Sequence, residues 1–248
     1  MLFPVLLSGW IEIPDGGQML NGRGFGKAFV TSQTENHAPV VKILQPLQQA
    51  TFTWNALVPF DIRVSDAEDG ESKYQEIQSS EVLVKLKYAK NSAMAAAFLK
   101  QKIFPDTAGV AGMLVSNCFN CHAVKTKLAG PSFQDISRRY PFTDKNVDLL
   151  TTHIQKGSTG IWGKEVMPTH PELAEPEVRK MVKWILRYTD DPGLNFFVGL
   201  QGTLPLNKTE MYRHGGYFIV TALYTDHGTA DDPEKKITGS DQVILRVK

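Results

Sequence analysis

Cysteine is almost missing: the chain of 248 residues has two, at positions 118 and 121. A disulfide framework, a four-cysteine zinc site and an iron–sulfur cluster of the usual kind are thereby excluded, because each needs more thiolates than the chain owns. An excess of one charge is missing too. Lys and Arg number 27 against 26 Asp and Glu, a formal charge of +1, so nucleic acid would meet no basic footprint. No apolar run is long enough to span a bilayer, and no transmembrane segment is expected. The opening MLFPVLLSGW comes nearest, but it has neither a basic region before its apolar core nor a small-residue cleavage site. We read the chain as carrying no signal peptide, and as a mature product or a portion of a longer protein. A Gly-rich phosphate loop, an HExxH helix and a paired nucleophile and base are also lacking, which removes the commonest hydrolase and nucleotide chemistries. What remains is 42% hydrophobic and 21% charged, the composition of an ordinary folded chain with one or two domains.

The two cysteines stand three apart with a histidine behind the second, in Cys118-Phe119-Asn120-Cys121-His122. Two thiols one helical turn apart suit thioether bonds to the two vinyl groups of a haem, and the adjoining imidazole suits its iron; this is the c-type haem attachment pattern. A thioredoxin-like disulfide is the rival, and it would want a strand ahead of the pair. The preceding TAGVAGMLVSN instead has the spacing of a short helix, with Val110, Met113 and Leu114 on one face. Downstream, GSTGIWGKEVMPTHPEL places Met167 beside Pro168 in a glycine-rich loop. A thioether there could fill the second axial position of a haem iron and raise its potential, or serve as an apolar plug. His153 and His170 lie near enough in sequence to be alternative ligands. A vacant second position would instead suit a peroxidase.

Together these motifs resemble the class I monohaem cytochromes c of bacteria over residues of about 106–190. The helix into CxxCH, Gly130-Pro131 after it, Met167-Pro168 and a closing amphipathic helix all fall in order. The resemblance implies an all-α fold and one covalent haem c, bound through Cys118 and Cys121 with His122 and Met167 as axial metal ligands. It also implies that the carbonyl of Gly130 or Pro131 accepts the other imidazole nitrogen of His122, and that Gly109 and Gly112 let the closing helix approach the first. Trp162, near Met167 in sequence, could line the haem edge, donate its indole N–H to a propionate, or pack in the core. The activity implied is periplasmic or extracellular electron transfer, by an electron carrier rather than an enzyme, or by the carrier module of a larger oxidoreductase. The partner would be a redox protein, such as a quinoprotein dehydrogenase. Residues 107–190 hold 11 Lys and Arg against 8 Asp and Glu, a small basic excess. Pro176 fits the first position of the closing helix, and Val178, Met181, Val182, Ile185 and Leu186 give it one apolar face.

The rest of the chain has strand texture on both sides of this segment: PVVKILQP, LVPFDIRVSDAEDG and SEVLVKLKYAK before, then FFVGLQGTLPL, GGYFIVTALYTDHG and GSDQVILRVK after. Each group alone is too small for a robust two-sheet core. The two resemble complementary parts of one bacterial immunoglobulin-like or PKD-like module, although the Cys-Trp-Cys core is missing. The expected fold is therefore mixed: an all-α cytochrome c domain at 105–192 inserted into an all-β sandwich at 36–104 and 193–248, after an N-terminal extension at 1–35. Two small β units strung on either side of the haem domain are the alternative. Asp66, Glu68 and Asp69 could bind calcium or form a solvated turn. A second functional reading makes the sandwich a binding or assembly module for a partner or polysaccharide, with the haem as its internal relay.

Overall fold

A computed structural model of the chain describes residues 35–100, 107–208 and 215–248. Residues 1–34, most of the expected extension, and the expected boundary at 105 lie outside these. Alternation sets up the first sheet. In β3 (Leu57–Asp66), Val58, Phe60, Ile62 and Val64 are buried while Leu57, Pro59 and Arg63 are exposed, the period of two that a one-sided strand requires. β3 pairs antiparallel with β1 (Val40–Gln45), β4 (Gly70–Glu71) and β7 (Gln201–Pro205). The second sheet runs in the order β2 (Thr51–Phe52), β9 (Thr238–Val247), β8 (Gly216–Thr225), β5 (Leu83–Ala89) and β6 (Leu194–Val198). In that sheet β2 and β9 run parallel, and the other described pairs are antiparallel.

Strands from before and after the helical segment share both sheets. Val58 stands opposite Leu204, and β5 lies between β6 and β8 with Val84 opposite both Phe197 and Ala222. Phe60, Ile62 and Val64 of the first sheet and Leu86, Val220 and Leu245 of the second belong to one buried core. A single strand was expected through Phe197 and Leu204, and the structure corrects this. The chain breaks at Gly199, φ +140°, and β6 and β7 join different sheets. That dihedral is open to glycine and strained for other residues. The Gly199 N–H donates to Val82 O at 2.9 Å, fixing the crossover.

A helix that the sequence reading missed, α1 (Ser92–Leu99), follows β5 and is capped by Asn91, whose side chain accepts from Met94 N at 2.9 Å. It packs Ala95 against Ala89 and Ile219, on the face of the second sheet away from the sandwich core. Lys85 is buried on that face, with its ammonium 4.6 Å from the Phe98 ring centre. Burial first, and then Lys87, lower its pKa to about 7.

The helical unit consists of α2 (Thr107–Val115), α3 (Cys118–Cys121), α4 (Phe133–Arg139), α5 (Asp144–Lys156) and α6 (Glu175–Tyr188). Helix α6 starts one residue earlier than expected, with Ala174 as cap and Pro176 in the first turn. Proline is tolerated there because first-turn N–H groups have no helical partner. Helices α2 and α6 cross where side chains vanish. A Cβ on Gly109 would lie 2.3 Å from Lys180 O, and one on Gly112 2.7 Å from Met181 Cε. Val110, Met113, Val178 and Trp184 form a buried cluster that continues into Leu83, Leu194, Phe196 and Leu223 of the second sheet. The Trp184 and Phe196 rings meet edge to face at 4.9 Å. Lys87 and Asp191, 2.5 Å apart, bind the chain leaving α6 to β5.

The turn after β3 is internally bonded. Asp66 Oδ1 accepts from the Glu68 and Asp69 N–H groups, Glu68 meets the His37 ring, and Asp69 accepts from Tyr224 OH at 2.6 Å. His227 stands between Asp69 and Glu81, at 3.1 and 2.8 Å. Burial disfavours its charge, but the two carboxylates outweigh burial and raise its pKa above the ordinary 6.5. A raised pKa contributes stability that is complete below the unfolded value and lost as pH rises through the folded one. The urea midpoint is therefore expected to fall as pH rises above the ordinary histidine value of 6.5, by less in His227→Gln. An equal slope in both proteins would remove His227 as the cause.

Candidate haem site

The chain builds the site from a turn outward. Asn117 takes a left-handed φ of +59°, which ends α2 and starts the single turn of α3; asparagine tolerates this region better than most residues. Helix α3 ends on His122, whose N–H donates to Cys118 O at 3.0 Å. The following loop returns to the helix through Gly130 N–H to Cys121 O, 2.8 Å. It then enters α4 at Phe133 under the Ser132 cap, whose hydroxyl accepts from Asp135 N at 3.0 Å.

This loop encloses the imidazole. His122 Nδ1 donates to Pro131 O at 2.7 Å, so Pro131, rather than Gly130, is the residue whose carbonyl receives it. Nε2 keeps its lone pair, as a metal-binding imidazole requires. Gly130 contributes by being small: a Cβ there would lie 2.4 Å from His122 Cε1. The Phe133 ring stacks on the imidazole, with centres 5.3 Å apart and planes 17° apart. Burial lowers the pKa of His122, against the opposing effect of the Pro131 bond, and so favours the neutral ligand form. Burial also pushes the Cys118 thiol up to about 11.

His122, Cys118 and Cys121 line an apolar cleft of about 1200 Å³ including its open mouth, and Met167, Trp162, Gly130 and Pro131 line it too. Met113 of α2, Leu150 of α5 and Met181 and Ile185 of α6 complete its walls. Every site residue expected from the sequence thus borders one cavity. Met167 is held in a two-residue antiparallel bridge, its N–H donating to Ser158 O at 2.9 Å and its carbonyl accepting from Ser158 N–H at 3.2 Å. Trp162 lies 4.8 Å below the Arg139 guanidinium, which also donates to Ile161 O at 3.1 Å. The sequence reading missed Arg139; a lone RRY triplet carries no signal for a contact with a loop 22 residues away. His153 and His170 also border the cleft. His153 sits near the end of α5, on the side facing the cleft. His170 Nδ1 lies 2.9 Å from Glu172 Oε1.

A haem fits these residues: the cleft is mostly apolar, two thiols and an oriented imidazole border it, and a glycine stands where any side chain would strike that imidazole. Among the described residues, no group of three His, Cys, Asp or Glu converges as a metal site. A haem iron held by one imidazole and one thioether needs none.

The cytochrome c family profile matches residues 101–189. Cytochrome c-551 of Ectopseudomonas mendocina is 39% identical over 69 residues, 28% of this chain and 83% of the relative. Cytochrome c-552 of Hydrogenobacter thermophilus is 30% identical over 96 residues, 36% of this chain and 97% of the relative. The crystal structure of wild-type Nitrosomonas europaea cytochrome c552 shares 32% identity, covering 32% of this chain and 96% of that one at a TM-score of 0.31. These matches leave most of the β-strands outside. Through residues 101–189 the chain belongs to the class I c-type cytochromes, electron carriers with a covalently bound haem c.

Proposed function

We propose that Cys118 and Cys121 carry the haem through thioether bonds, that His122 and Met167 are its axial ligands, and that the protein passes single electrons in the periplasm or outside the cell. The observation that carries this reading is the junction at His122: its Nδ1 is committed to Pro131 O at 2.7 Å, and the cleft it borders is shared with both thiols and Met167. The haem supplies one-electron chemistry. The protein's residues do the rest. Pro131 fixes the tautomer and ring plane of His122, and Gly130 leaves room for that ring. Trp162, held by Arg139, closes one side of the cleft, and the guanidinium offers a positive charge to a carboxylate. Apolar side chains from α2, α5 and α6 exclude water, which keeps the cost of reorganisation during electron transfer low.

The electron donor is a redox protein, with a quinoprotein dehydrogenase as the class that the family resemblance favours. Among the described residues no helix is long and apolar enough to cross a membrane. The domain reading is an immunoglobulin-like sandwich interrupted by the cytochrome, with 36–104 and 193–248 as its two parts. The pairing of β3 with β7, and of β5 with β6 and β8, supports it. Strands from one side alone would leave open edges.

The purified holoprotein is expected to hold one haem per chain that stays with the protein through acid–acetone extraction, and Cys118→Ser with Cys121→Ser is expected to release it. Haem that is extracted intact from the wild type would refute the thioether assignment.

A further inference from the structure

Three glycines of the segment joining α5 to α6 have a backbone that disfavours side chains: Gly157 at φ +77°, Gly160 at +80° and Gly163 at +126°. Their surroundings differ. A Cβ on Gly160 or Gly163 would meet nothing within 4 Å, whereas one on Gly157 would lie 2.9 Å from the Met167 carbonyl oxygen and 3.2 Å from Thr169 Cγ2. Gly157 is also the residue at which α5 ends, and the next residue, Ser158, exchanges both backbone hydrogen bonds with Met167. A third bond, His170 N–H to Ile154 O at 3.1 Å, ties the far side of Met167 to the last turns of α5. That helix contributes Leu150, His153 and Ile154 to the cleft.

We propose that Gly157 is a positioning residue for the axial thioether: the lack of a side chain there lets the Met167 backbone close onto the end of α5, which fixes where the loop presents its sulfur. The inference rests on the reading of Met167 as a ligand. A conformational requirement alone would make the three glycines equivalent, since each pays for a positive φ. Only Gly157 joins that requirement to a backbone contact with Met167. A backbone carbonyl held in a two-bond bridge cannot yield as the end of a flexible side chain can. Relief must come from moving the Met167 segment away from α5, and so away from the cleft wall that α5 forms.

The test compares Gly157→Ala, Gly160→Ala and Gly163→Ala as full-length holoproteins. The readouts are the weak far-red sulfur-to-iron band of the ferric form, the pH at which it disappears, the rate of carbon monoxide binding to the ferrous form, and the urea midpoint. All three variants are expected to lose some stability from the φ requirement. Gly157→Ala alone is expected to lose the band at lower pH than the wild type and to bind carbon monoxide roughly tenfold faster. If Gly157→Ala matures poorly, Ser158→Pro removes one of the two bridge bonds and is expected to change the same readouts. A Gly157→Ala protein whose band and carbon monoxide rate match those of the other two overturns the positioning role. A wild-type protein without the band, or a Met167→Ala protein that keeps it, overturns the ligand reading instead, and the positioning role with it.

Discussion

Met167→Ala is expected to abolish the far-red band, to open the ferrous iron to carbon monoxide within seconds, and to lower the reduction potential. The direction follows from ligand chemistry: a thioether stabilises ferrous iron, and a water or hydroxide in its place does so less well. The fall is expected to be on the order of 0.1 V, within the roughly 0.8 V over which axial ligands move haem potentials. The structure adds a reason for a large effect. Met167 lies on a loop bonded through its backbone to Ser158, so removal of its side chain leaves the loop in place. His153 and His170, which border the same cleft, are the imidazoles that could respond. A Met167→Ala protein with the potential of the wild type and no carbon monoxide binding would identify one of them as the native ligand, with His170→Ala and His153→Ala deciding which.

Trp184→Ala is expected to have the largest effect on stability, about 3–5 kcal/mol, the usual cost of truncating a large buried aromatic residue. Trp184 is 1% exposed and packs at the meeting of two units, with Gly109 of α2 against its Cβ and Phe196 of β6 against its ring. The loss should therefore be felt by both. Urea unfolding followed by Soret absorbance and by far-ultraviolet circular dichroism is expected to give coincident transitions, displaced together in Trp184→Ala and, by less, in Phe196→Ala. Transitions that separate, with the Soret change insensitive to Phe196, would mean that the haem unit and the sheet unfold independently. The shared cluster also changes the outlook for excision. Replacing residues 105–192 with a short Gly/Ser linker would bare Leu83, Phe196 and Leu223. An apolar patch of that kind favours association.

The site was legible because its chemistry is local. Cys118, Cys121 and His122 are neighbours in sequence, and one helical turn presents all three together, so a pentapeptide is enough to find them. Met167 is 45 residues from His122, and a methionine in a glycine-rich loop suits an apolar plug as well as a ligand; only the order of all the motifs together singled it out. The apolar face of α6 was equally readable, from Val178 to Leu186, because helical periodicity is a property of consecutive residues. Sequence also placed strand texture on both sides of the helical unit.

What sequence could not decide were contacts made between distant segments. Nothing in RRY announces that Arg139 will cover Trp162, since the attraction depends on a loop that folds back from elsewhere. His153 has the spacing of an ordinary helical residue, and only the packing of α5 beside α6 turns it toward the cleft. Gly199 looked like an interruption within one strand; its φ of +140° sends β6 and β7 into separate sheets, a choice fixed by which neighbours were free to pair. Lys85 sits in a strand where alternation marks it for solvent, but α1 covers that face. The sequence by itself determined which chemistry this protein carries, because haem attachment is written in adjacent residues. Tertiary structure alone decided which strands pair and how the haem unit is braced against the sheet, because burial of an apolar face depends on the partner that arrives to cover it.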